Sequence, residues 1–302
     1  MFKRELIEEL RARGYRPRAW ADYVRGHVGL ALQVMEERPG PVRSVIGTGL
    51  ALLVVIFAFS LVLSILREDD LGRRIFGPGA VWLALHSVWI LFHLGLLVDL
   101  AGRPVTRLGL PNAITLFRGV TIPVLQVLGQ GGEIELLFGV YLAGALSDIA
   151  DGGLARRFGP VTRLGLVMDP IVDIAWNAAA VFALSRAGLL PGSCVILIAA
   201  RYGLLVIGSV ALYLRNTTLR IRSTRFGKAS GAVLSSAFLL VLLNKLAMPA
   251  GRAAAVQELL ELGVELLLWG TIVHVIALGV VNFRRPQAAW EPVGRVVGHI
   301  QR

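Results

Sequence analysis

The chain has 302 residues, of which 55% are hydrophobic and 17% are charged, and its formal net charge is +11. Its mean hydropathy of +0.68 is far above that of soluble proteins and indicates a polytopic membrane protein. The basic residues lie in short segments between apolar runs, a pattern that follows the positive-inside rule and disfavours nucleic-acid binding. The single cysteine, Cys194, excludes an intrachain disulfide and a cysteine metal site.

Residues 1–42 form a polar, basic leader with a partly helical pattern. Trp20, Tyr23, Val24 and Val28 recur at helical spacing among arginines, which suits a helix lying on an anionic cytoplasmic membrane surface. A soluble helical extension with a solvated charged face fits the same pattern. No cleavable signal peptide is expected, because a long charged segment precedes the first apolar run.

Two apolar runs, Ser44–Leu66 and Ala80–Leu100, are long enough to cross a membrane. The charged segment 67–74 between them predicts a short external loop. The second run carries His86 and His93 on one helix face. We expect this pair to pack against neighbouring helices rather than to bind a metal, because no carboxylate partners it.

Six further apolar runs predict a six-helix core, which makes eight spans in all. Threading them alternately places the basic segments on one side of the membrane and the loops richest in acidic residues on the other, so the basic side is predicted to be cytoplasmic. The predicted core spans are Ala113–Leu128, Leu136–Ser147, Leu164–Leu184, Val195–Leu214, Ala232–Leu246 and Leu259–Phe283. The predicted divisions are a leader at 1–42, two extra transmembrane helices at 43–101, a membrane core at 102–285 and a cytoplasmic tail at 286–302.

The most informative stretch runs from Asp148 to Asp173 and holds two pairs of aspartates. Asp148 and Asp151 lie three residues apart, and Asp169 and Asp173 lie four apart, so each pair shares one face if its segment is helical. Carboxylates at membrane depth are costly and need a compensating charge. Hard divalent cations take oxygen ligands, so the stretch predicts a metal site near the cytoplasmic edge.

Written as spacings, the stretch is D-x2-D-G-x2-A-R-x8-G-x3-D-x3-D. It resembles the signature of the CDP-alcohol phosphotransferase family of integral membrane enzymes, and the resemblance covers roughly residues 103–285. The resemblance implies an all-α membrane fold, with the family's six-helix core preceded here by two extra transmembrane helices. It also implies a homodimer and transfer of a phosphatidyl group from CDP-diacylglycerol to a hydroxyl acceptor, with release of CMP.

By the same resemblance, Asp148, Asp151 and Asp169 are metal ligands and Asp173 is the general base. Four carboxylates can hold two Mg²⁺ or Mn²⁺ ions about 3.5–4 Å apart, which would bind the diphosphate and stabilise the leaving CMP. A carboxylate that adjoins two cations is a weak base. Asp173 is therefore expected mainly to orient the acceptor hydroxyl and to take up its proton late.

A further set of side chains is expected at the CDP-lipid. Gly152 has no side chain and lets a nucleotide approach the backbone, whereas Arg156 is suited to paired hydrogen bonds with phosphate. Gly165 is expected to let the two metal-bearing helices approach closely. Segment 110–123 resembles the family's first core helix, and by that resemblance Asn112 and Thr115 help to bind the nucleotide. Thr162, in the loop before the second aspartate pair, is expected to help as well. The set is Asn112, Thr115, Gly152, Arg156, Thr162 and Gly165.

Three basic residues are candidates for binding the acceptor, namely Arg118, Arg201 and Lys228. Arg118 either adds charge near the diphosphate or extends to the membrane interface. Arg201 lies inside an apolar run and is expected to face a cavity. Its helix resembles the fourth core helix of phosphatidylglycerophosphate synthases, and the segment ending in Lys228 resembles their fifth. Arg201 and Lys228 are therefore predicted to bind an anionic acceptor, such as glycerol 3-phosphate or inositol phosphate, although Ile174 stands where those enzymes commonly have lysine.

Other functions fit parts of the same sequence. An aminoalcohol phosphotransferase would use CDP-choline or CDP-ethanolamine and diacylglycerol, but that acceptor brings no anion for Arg201 and Lys228. A transporter would spread its acidic residues through the bilayer, whereas these cluster at one edge beside Arg156. A pseudoenzyme whose leader docks a partner is disfavoured by the complete motif. The prediction is a multi-pass enzyme of the cell's inner or plasma membrane that acts on membrane lipids at the cytoplasmic side.

Overall fold

The computed structural model describes the backbone at residues 9–10, 12–158, 160–214, 225–247 and 250–284. Side chains are described over the same ranges except at 149–158, 212–214, 225–228, 250–253 and 282–284. Nine helices of more than twenty residues lie in these ranges: α1 Pro17–Glu37, α2 Pro39–Arg67, α3 Leu71–Phe92, α4 Leu110–Gly131, α5 Ile134–Phe158, α6 Arg163–Arg186, α7 Gly192–Leu214, α8 Arg225–Ala247 and α9 Ala250–Arg284. The predicted tail at 286–302 lies outside the described residues.

The prediction of an all-α membrane fold is confirmed. Seven of these helices, namely α2, α3, α4, α6, α7, α8 and α9, are long and apolar enough to cross a membrane. The remaining predicted span corresponds to α5, whose side chains after Asp148 lie outside the described residues. Helix α4 has the largest buried share of these spans, 67% of its apolar window, and is therefore the most enclosed by protein.

The predicted second span, Ala80–Leu100, is wrong at both ends, since α3 runs from Leu71 to Phe92. The segment predicted as a loop forms the first turn of the helix. Asp69, which precedes the N-cap residue Asp70, accepts a hydrogen bond from the Leu71 N–H at 2.9 Å and so satisfies one of the free donors at this end. The early end leaves Asp99 in the connection between α3 and α4, outside the span.

Helix α5 extends well beyond the predicted span Leu136–Ser147, since it runs from Ile134 to Phe158. Asp148 and Asp151 therefore both lie inside a helix, as Asp169 and Asp173 do in α6. The helical spacing assumed for both aspartate pairs is confirmed at the level of the backbone. The other core spans agree with the predictions to within a few residues, apart from longer amino-terminal turns in α8 and α9.

The chain divides into two compact units. The first unit comprises residues 1–117 and 151–169, and the second comprises residues 118–150 and 170–302. Helices α4, α5 and α6 contribute residues to both units. Each unit is held together by contacts of its own.

In the first unit, α2 and α3 form a closely packed helical pair. A Cβ atom at Gly72 would lie 2.0 Å from the carbonyl oxygen of Ser60, and one at Gly79 would lie 3.3 Å from an α2 side chain. No side chain fits at Gly72 without moving the backbone of α2. The glycines thus set the close approach of these two helices, as small residues do in membrane proteins generally.

In the second unit, an aromatic group connects several helices. Tyr141 of α5 stacks on Trp176 of α6 with ring centroids 4.5 Å apart and meets Phe238 of α8 edge-on at 6.1 Å. The indole N–H of Trp176 donates to Thr121 Oγ1 of α4 at 3.0 Å. Gly144 makes room for this indole, because a Cβ there would lie 2.6 Å from the ring. Helix α9 completes the unit by packing against α7 and α8.

Candidate active site

The start of α6, in the first unit, is organised around Thr162. Its Oγ1 accepts a hydrogen bond from the Gly165 N–H at 3.1 Å, which satisfies one of the unpaired donors at the beginning of a helix. Asn112 of α4 donates from Nδ2 to the same oxygen at 3.1 Å and to the Leu108 carbonyl oxygen at 2.5 Å. Both Asn112 and Thr162 are buried. The side-chain amide therefore holds α4 against the first turn of α6.

Gly165 is essential to this packing for a geometric reason. A Cβ atom there would lie 2.7 Å from Asn112 Oδ1 and 3.4 Å from Thr162 Oγ1. The predicted role of this glycine, a close approach of the two metal-bearing helices, stays a prediction, because the described neighbour of Gly165 is α4. Any larger residue at position 165 would push the Asn112 amide away from Thr162.

One turn farther along the same helices, Thr115 Oγ1 donates to Asp169 Oδ1 at 2.8 Å. Thr115 is 1% exposed, and its hydroxyl, which also lies 3.1 Å from the Pro111 carbonyl oxygen, restrains the orientation of this carboxylate. We call this group the asparagine–threonine cluster; it consists of Asn112, Thr115, Thr162, Gly165 and Asp169. All five residues are predicted from sequence, and the structure brings them together in the first unit.

The second unit contains a charged group centred on Arg118 of α4. Its Nη1 donates to Asp148 Oδ1 of α5 at 2.5 Å, and its Nη2 donates to Asp173 Oδ1 of α6. The Arg118 side chain is 2% exposed, whereas those of Asp148 and Asp173 are 61% and 47% exposed. We call these three residues the arginine–aspartate cluster. A buried guanidinium needs such partners, because an uncompensated charge away from water is costly.

This geometry argues against one of the two roles predicted for Arg118, and the other, charge near the diphosphate, stays a prediction. Its side chain does not extend to the membrane interface, because it is buried and paired with two aspartates of the motif. Sequence spacing predicts a charge near these carboxylates. It does not predict that one guanidinium connects an aspartate of α5 with one of α6.

Arg201 of α7, also in the second unit, differs from Arg118. Its guanidinium lies 5.1 Å from the ring centroid of Tyr202, a cation–π distance. Its Nε and Nη1 atoms are buried and have no hydrogen-bond partner among the residues that the structure describes. Guanidinium nitrogens are strong donors, and leaving them unsatisfied away from water costs free energy. The site is therefore suited to an anionic ligand.

Four other predicted residues can be placed only by their backbone. Asp151, Gly152 and Arg156 lie in α5, and Lys228 lies in the first turns of α8. The side chains at these positions lie outside the described residues. Their predicted roles stay predictions.

The described residues offer suitable chemistry for a divalent cation. Carboxylate oxygens are the ligands that Mg²⁺ and Mn²⁺ prefer, and Asp148 and Asp173 are accessible. The hydrogen bond from Thr115 orients the Asp169 carboxylate, as outer contacts do for metal ligands. No group of three His, Cys, Asp or Glu side chains placed to hold a metal occurs among the described side chains, which exclude that of Asp151.

Sequence reasoning misses one contribution to the first unit, which comes from the connection between α3 and α4. The Val98 carbonyl oxygen accepts a hydrogen bond from the Arg163 N–H at 2.9 Å, and the backbone of Asp99 pairs with that of Thr162. These residues lie about sixty positions apart in the chain, so no local pattern signals the contact.

Comparison with known proteins supports the same region. The sequence model of the CDP-alcohol phosphatidyltransferase family matches residues 108–281. A probable phosphatidylglycerophosphate synthase of Mycobacterium tuberculosis is 35% identical over 109 residues, which are 34% of this chain and 52% of the relative. An archaetidylinositol phosphate synthase of Pyrococcus horikoshii is 33% identical over 90 residues, 29% of this chain and 47% of the relative.

A CDP-diacylglycerol–glycerol-3-phosphate 3-phosphatidyltransferase of Salmonella choleraesuis is 33% identical over 72 residues, 22% of this chain and 38% of the relative. The chain thus matches about half the length, or less, of these curated relatives. The family match is broader, since it covers more than half of the chain, the complete aspartate motif and both clusters. The predicted resemblance is confirmed, and the chain belongs to the CDP-alcohol phosphatidyltransferase family.

Proposed function

We propose that the protein transfers a phosphatidyl group from CDP-diacylglycerol to a hydroxyl of a phosphorylated polyol and releases CMP. The observation that carries the choice of acceptor is the buried guanidinium of Arg201, whose Nε and Nη1 have no partner in the described part of the chain. Family membership supports the donor. The names of two relatives, for glycerol 3-phosphate and for archaetidylinositol phosphate, support a phosphorylated acceptor.

The carboxylates are proposed to hold two Mg²⁺ or Mn²⁺ ions, with Asp148, Asp151, Asp169 and Asp173 as ligands. When bound, such ions supply positive charge that polarises the phosphorus and stabilises the leaving phosphate of CMP. The support is the complete motif and the oxygen chemistry of the donors. Thr115 contributes by fixing the orientation of Asp169 through its hydrogen bond.

Arg118 has a role of its own in this proposal. It holds one oxygen of Asp148 and one of Asp173 through two different nitrogens of a rigid, planar group. The two carboxylates therefore keep a defined separation before any substrate arrives. Preorganisation of this kind avoids a cost of rearrangement during the reaction.

The CDP-lipid is proposed to bind through its nucleotide at Asn112 and Thr162, with Gly152 and Arg156 contacting the phosphates. The buried amide and hydroxyl of the first two residues are already fixed by mutual hydrogen bonds. A site held in this way loses little conformational freedom when it binds a ligand. Arg156 is suited to paired hydrogen bonds with phosphate oxygens.

In the proposed reaction, the acceptor oxygen forms a bond to the β-phosphorus of CDP-diacylglycerol. The bond between that phosphorus and the bridging oxygen of CMP breaks, and CMP leaves with the bonding electron pair. The acceptor hydroxyl gives its proton to a carboxylate oxygen of Asp173, which is 47% exposed and therefore reachable. Arg118 keeps that carboxylate oriented while the proton moves.

The seven candidate spans among the described helices, together with the family, make the chain a multi-pass membrane protein. We further propose that the site opens towards the cytoplasm of a cell inner or plasma membrane, since the loops that carry most of the arginines and lysines lie on that side of the predicted topology. Assembly as a homodimer is expected from the resemblance to the family.

The test is CMP release by the purified protein with CDP-diacylglycerol, Mg²⁺ or Mn²⁺ and a panel of acceptors. The panel pairs glycerol 3-phosphate with glycerol, and inositol phosphate with inositol. We expect turnover with a phosphorylated member and none with its unphosphorylated counterpart. Turnover with CDP-choline and diacylglycerol instead, or no CMP release by folded protein, would contradict the proposal.

Arg201→Met tests whether the buried guanidinium of Arg201 binds the acceptor phosphate. Loss of a charge-assisted contact to the acceptor phosphate should raise KM for the acceptor by about tenfold to a hundredfold and leave KM for CDP-diacylglycerol within about twofold. Arg186→Met is the matched control, because Arg186 is an exposed arginine in the last turn of α6 that lies over the Phe182 ring. Equal acceptor KM values for the two variants would remove Arg201 from the acceptor site.

A further inference from the structure

The segment 94–105, which joins α3 to α4, touches the start of α6 within the first unit. Val98 accepts the hydrogen bond from the Arg163 N–H at 2.9 Å, and Asp99 pairs through its backbone with Thr162. The Arg163 N–H is the first donor of α6 and would otherwise lack a partner. This segment, which we call the connecting loop, lies outside the region matched by the family. It nevertheless caps the helix that carries Asp169.

The connecting loop is held by one arginine that lies between α1 and α2. Arg38 donates from Nη1 to the Leu94 carbonyl oxygen at 3.1 Å. It donates from Nη2 to the carbonyl oxygens of Leu97 and Val105 at 2.9 and 2.8 Å. Both ends of the loop are therefore tied to the same guanidinium. Only arginine offers several donors in a rigid fork with this reach.

The loop also has internal and terminal restraints. Asp99 Oδ1 accepts the Arg103 backbone N–H at 2.8 Å, and Oδ2 accepts the Arg103 Nε at 2.7 Å. Gly102 has a φ of +84°, a conformation that favours glycine and allows the turn. Beyond the loop, the Leu108 N–H donates to Ser44 Oγ of α2 at 3.0 Å. The loop thus has one defined conformation in which Val98 can meet Arg163.

We propose that Arg38 is a positioning residue: through the connecting loop it fixes the first turn of α6 and thereby the asparagine–threonine cluster. The helices that precede the family's core would then do more than anchor the chain in the membrane. They would set the hydrogen-bonding geometry of Thr162, which binds Asn112 on one side and is paired with the loop on the other. The catalytic consequence rests on the proposed function, in which this cluster binds the nucleotide.

The experiment uses the full chain in detergent or lipid nanodiscs and compares the wild type with Arg38→Met. Amide hydrogen exchange in a peptide covering 162–168 should become about tenfold faster, while exchange in the middle of α9 stays unchanged. KM for CDP-diacylglycerol should rise about tenfold with kcat within about twofold, because the variant weakens nucleotide binding without altering Asp173. Arg38→Lys, which retains a donor, should give intermediate values for both quantities.

Arg43→Met is the matched control. Arg43 is an exposed arginine near the start of α2, five residues after Arg38. Its Nε donates to the Pro39 carbonyl oxygen at 3.4 Å. The control should leave exchange at 162–168 and the KM for CDP-diacylglycerol unchanged. If Arg38→Met matched Arg43→Met in exchange, the positioning role would be refuted.

Two further outcomes separate the proposals from each other. If wild-type protein released no CMP with any substrate, the proposed function would fail, and the exchange measurement would still decide whether Arg38 holds α6. If Arg38→Met and Arg38→Lys both lost protection equally in α6 and α9, Arg38 would support global stability. That result would overturn a specific positioning role.

Discussion

The two clusters both connect α4 with α6, but one does so through hydrogen bonds between buried neutral groups and the other through ion pairs. The asparagine–threonine cluster is buried and mainly neutral, with hydrogen bonds of 2.5–3.3 Å among amide, hydroxyl and backbone groups. The arginine–aspartate cluster places a buried cation between two half-exposed carboxylates. The first depends on shape, and a small displacement breaks it. The second depends on charge balance, and its carboxylates remain open to substrates.

Two arginines of the second unit, Arg118 and Arg201, also differ in their partners. The sequence places Arg118 and Arg201 in one set of candidates for acceptor binding. The structure pairs Arg118 with Asp148 and Asp173, whereas two nitrogens of Arg201 lack partners in the described part of the chain. A guanidinium already paired with carboxylates is a poor candidate for a substrate anion. Arg201 is the better one.

The largest effect is expected when the charged cluster loses its proposed base. Asp173→Asn should lower the rate of CMP release by about a thousandfold, because an amide cannot accept the acceptor's proton. The measurement is CMP release at saturating CDP-diacylglycerol. Asp22→Asn, at an exposed aspartate of α1, should retain the wild-type rate. A rate for Asp173→Asn within about tenfold of wild type would make the assignment of the base wrong.

The charge balance of the same cluster is tested by stability. Asp148→Asn and Asp173→Asn should each lower the free energy of unfolding by about 1 kcal/mol, since the other described carboxylate still pairs with Arg118. The double variant removes both carboxylates that the structure describes at the buried Arg118 and should cost about 3 kcal/mol, more than the sum of the single changes. Unfolding in detergent measures both. Adding Arg118→Met to the double variant should recover part of the loss; strictly additive effects with no recovery would contradict a charge-balanced cluster.

The neutral cluster should respond more weakly. Thr162→Val removes the hydroxyl that caps α6 and should lower the free energy of unfolding by about 1 kcal/mol. It should also raise KM for CDP-diacylglycerol and leave kcat within about twofold. Thr48→Val is the comparison, because Thr48 Oγ1 bonds only within its own helix, to the Ser44 carbonyl oxygen at 2.9 Å, in the contacts described. A Thr162→Val variant with the stability and KM of Thr48→Val would show that the cap is unimportant.

The smallest effect is expected on the melting temperature when acidic pH protonates Asp99 in the connecting loop. Hydrogen bonds from the Arg103 backbone and side chain hold the pKa of Asp99 below its ordinary value, against the opposing effect of burial. A lowered pKa in the folded state stabilises the protein above the ordinary pKa, and this contribution is lost as pH falls through the folded value. The difference in melting temperature between wild type and Asp99→Asn should therefore be constant above about pH 5 and shrink in more acidic buffer. A difference that grew on acidification would contradict the sign.

The spans and the aspartate spacing are predictable because both are local properties. An apolar run of about twenty residues already specifies a spanning helix, and spacings of three and four place two carboxylates on one helix face. The predicted span at Ala80–Leu100 is wrong at its start, where the helix begins at Leu71 and the Leu71 N–H is satisfied by the Asp69 carboxylate. Helix ends depend on individual capping bonds, which hydropathy does not detect.

By itself, the sequence determined the class of fold, the family and the residues that carry the proposed chemistry, because all three are encoded in composition and short spacings. Only the tertiary structure decided which polar groups are partners. Arg118 meets Asp173 across 55 positions, and Asn112 meets Thr162 across 50. Such pairs form only where the packing of the helices brings a donor and an acceptor atom within about 3 Å of each other. For the same reason, the hydrogen bonds between Arg38 and the connecting loop cannot be predicted from the sequence.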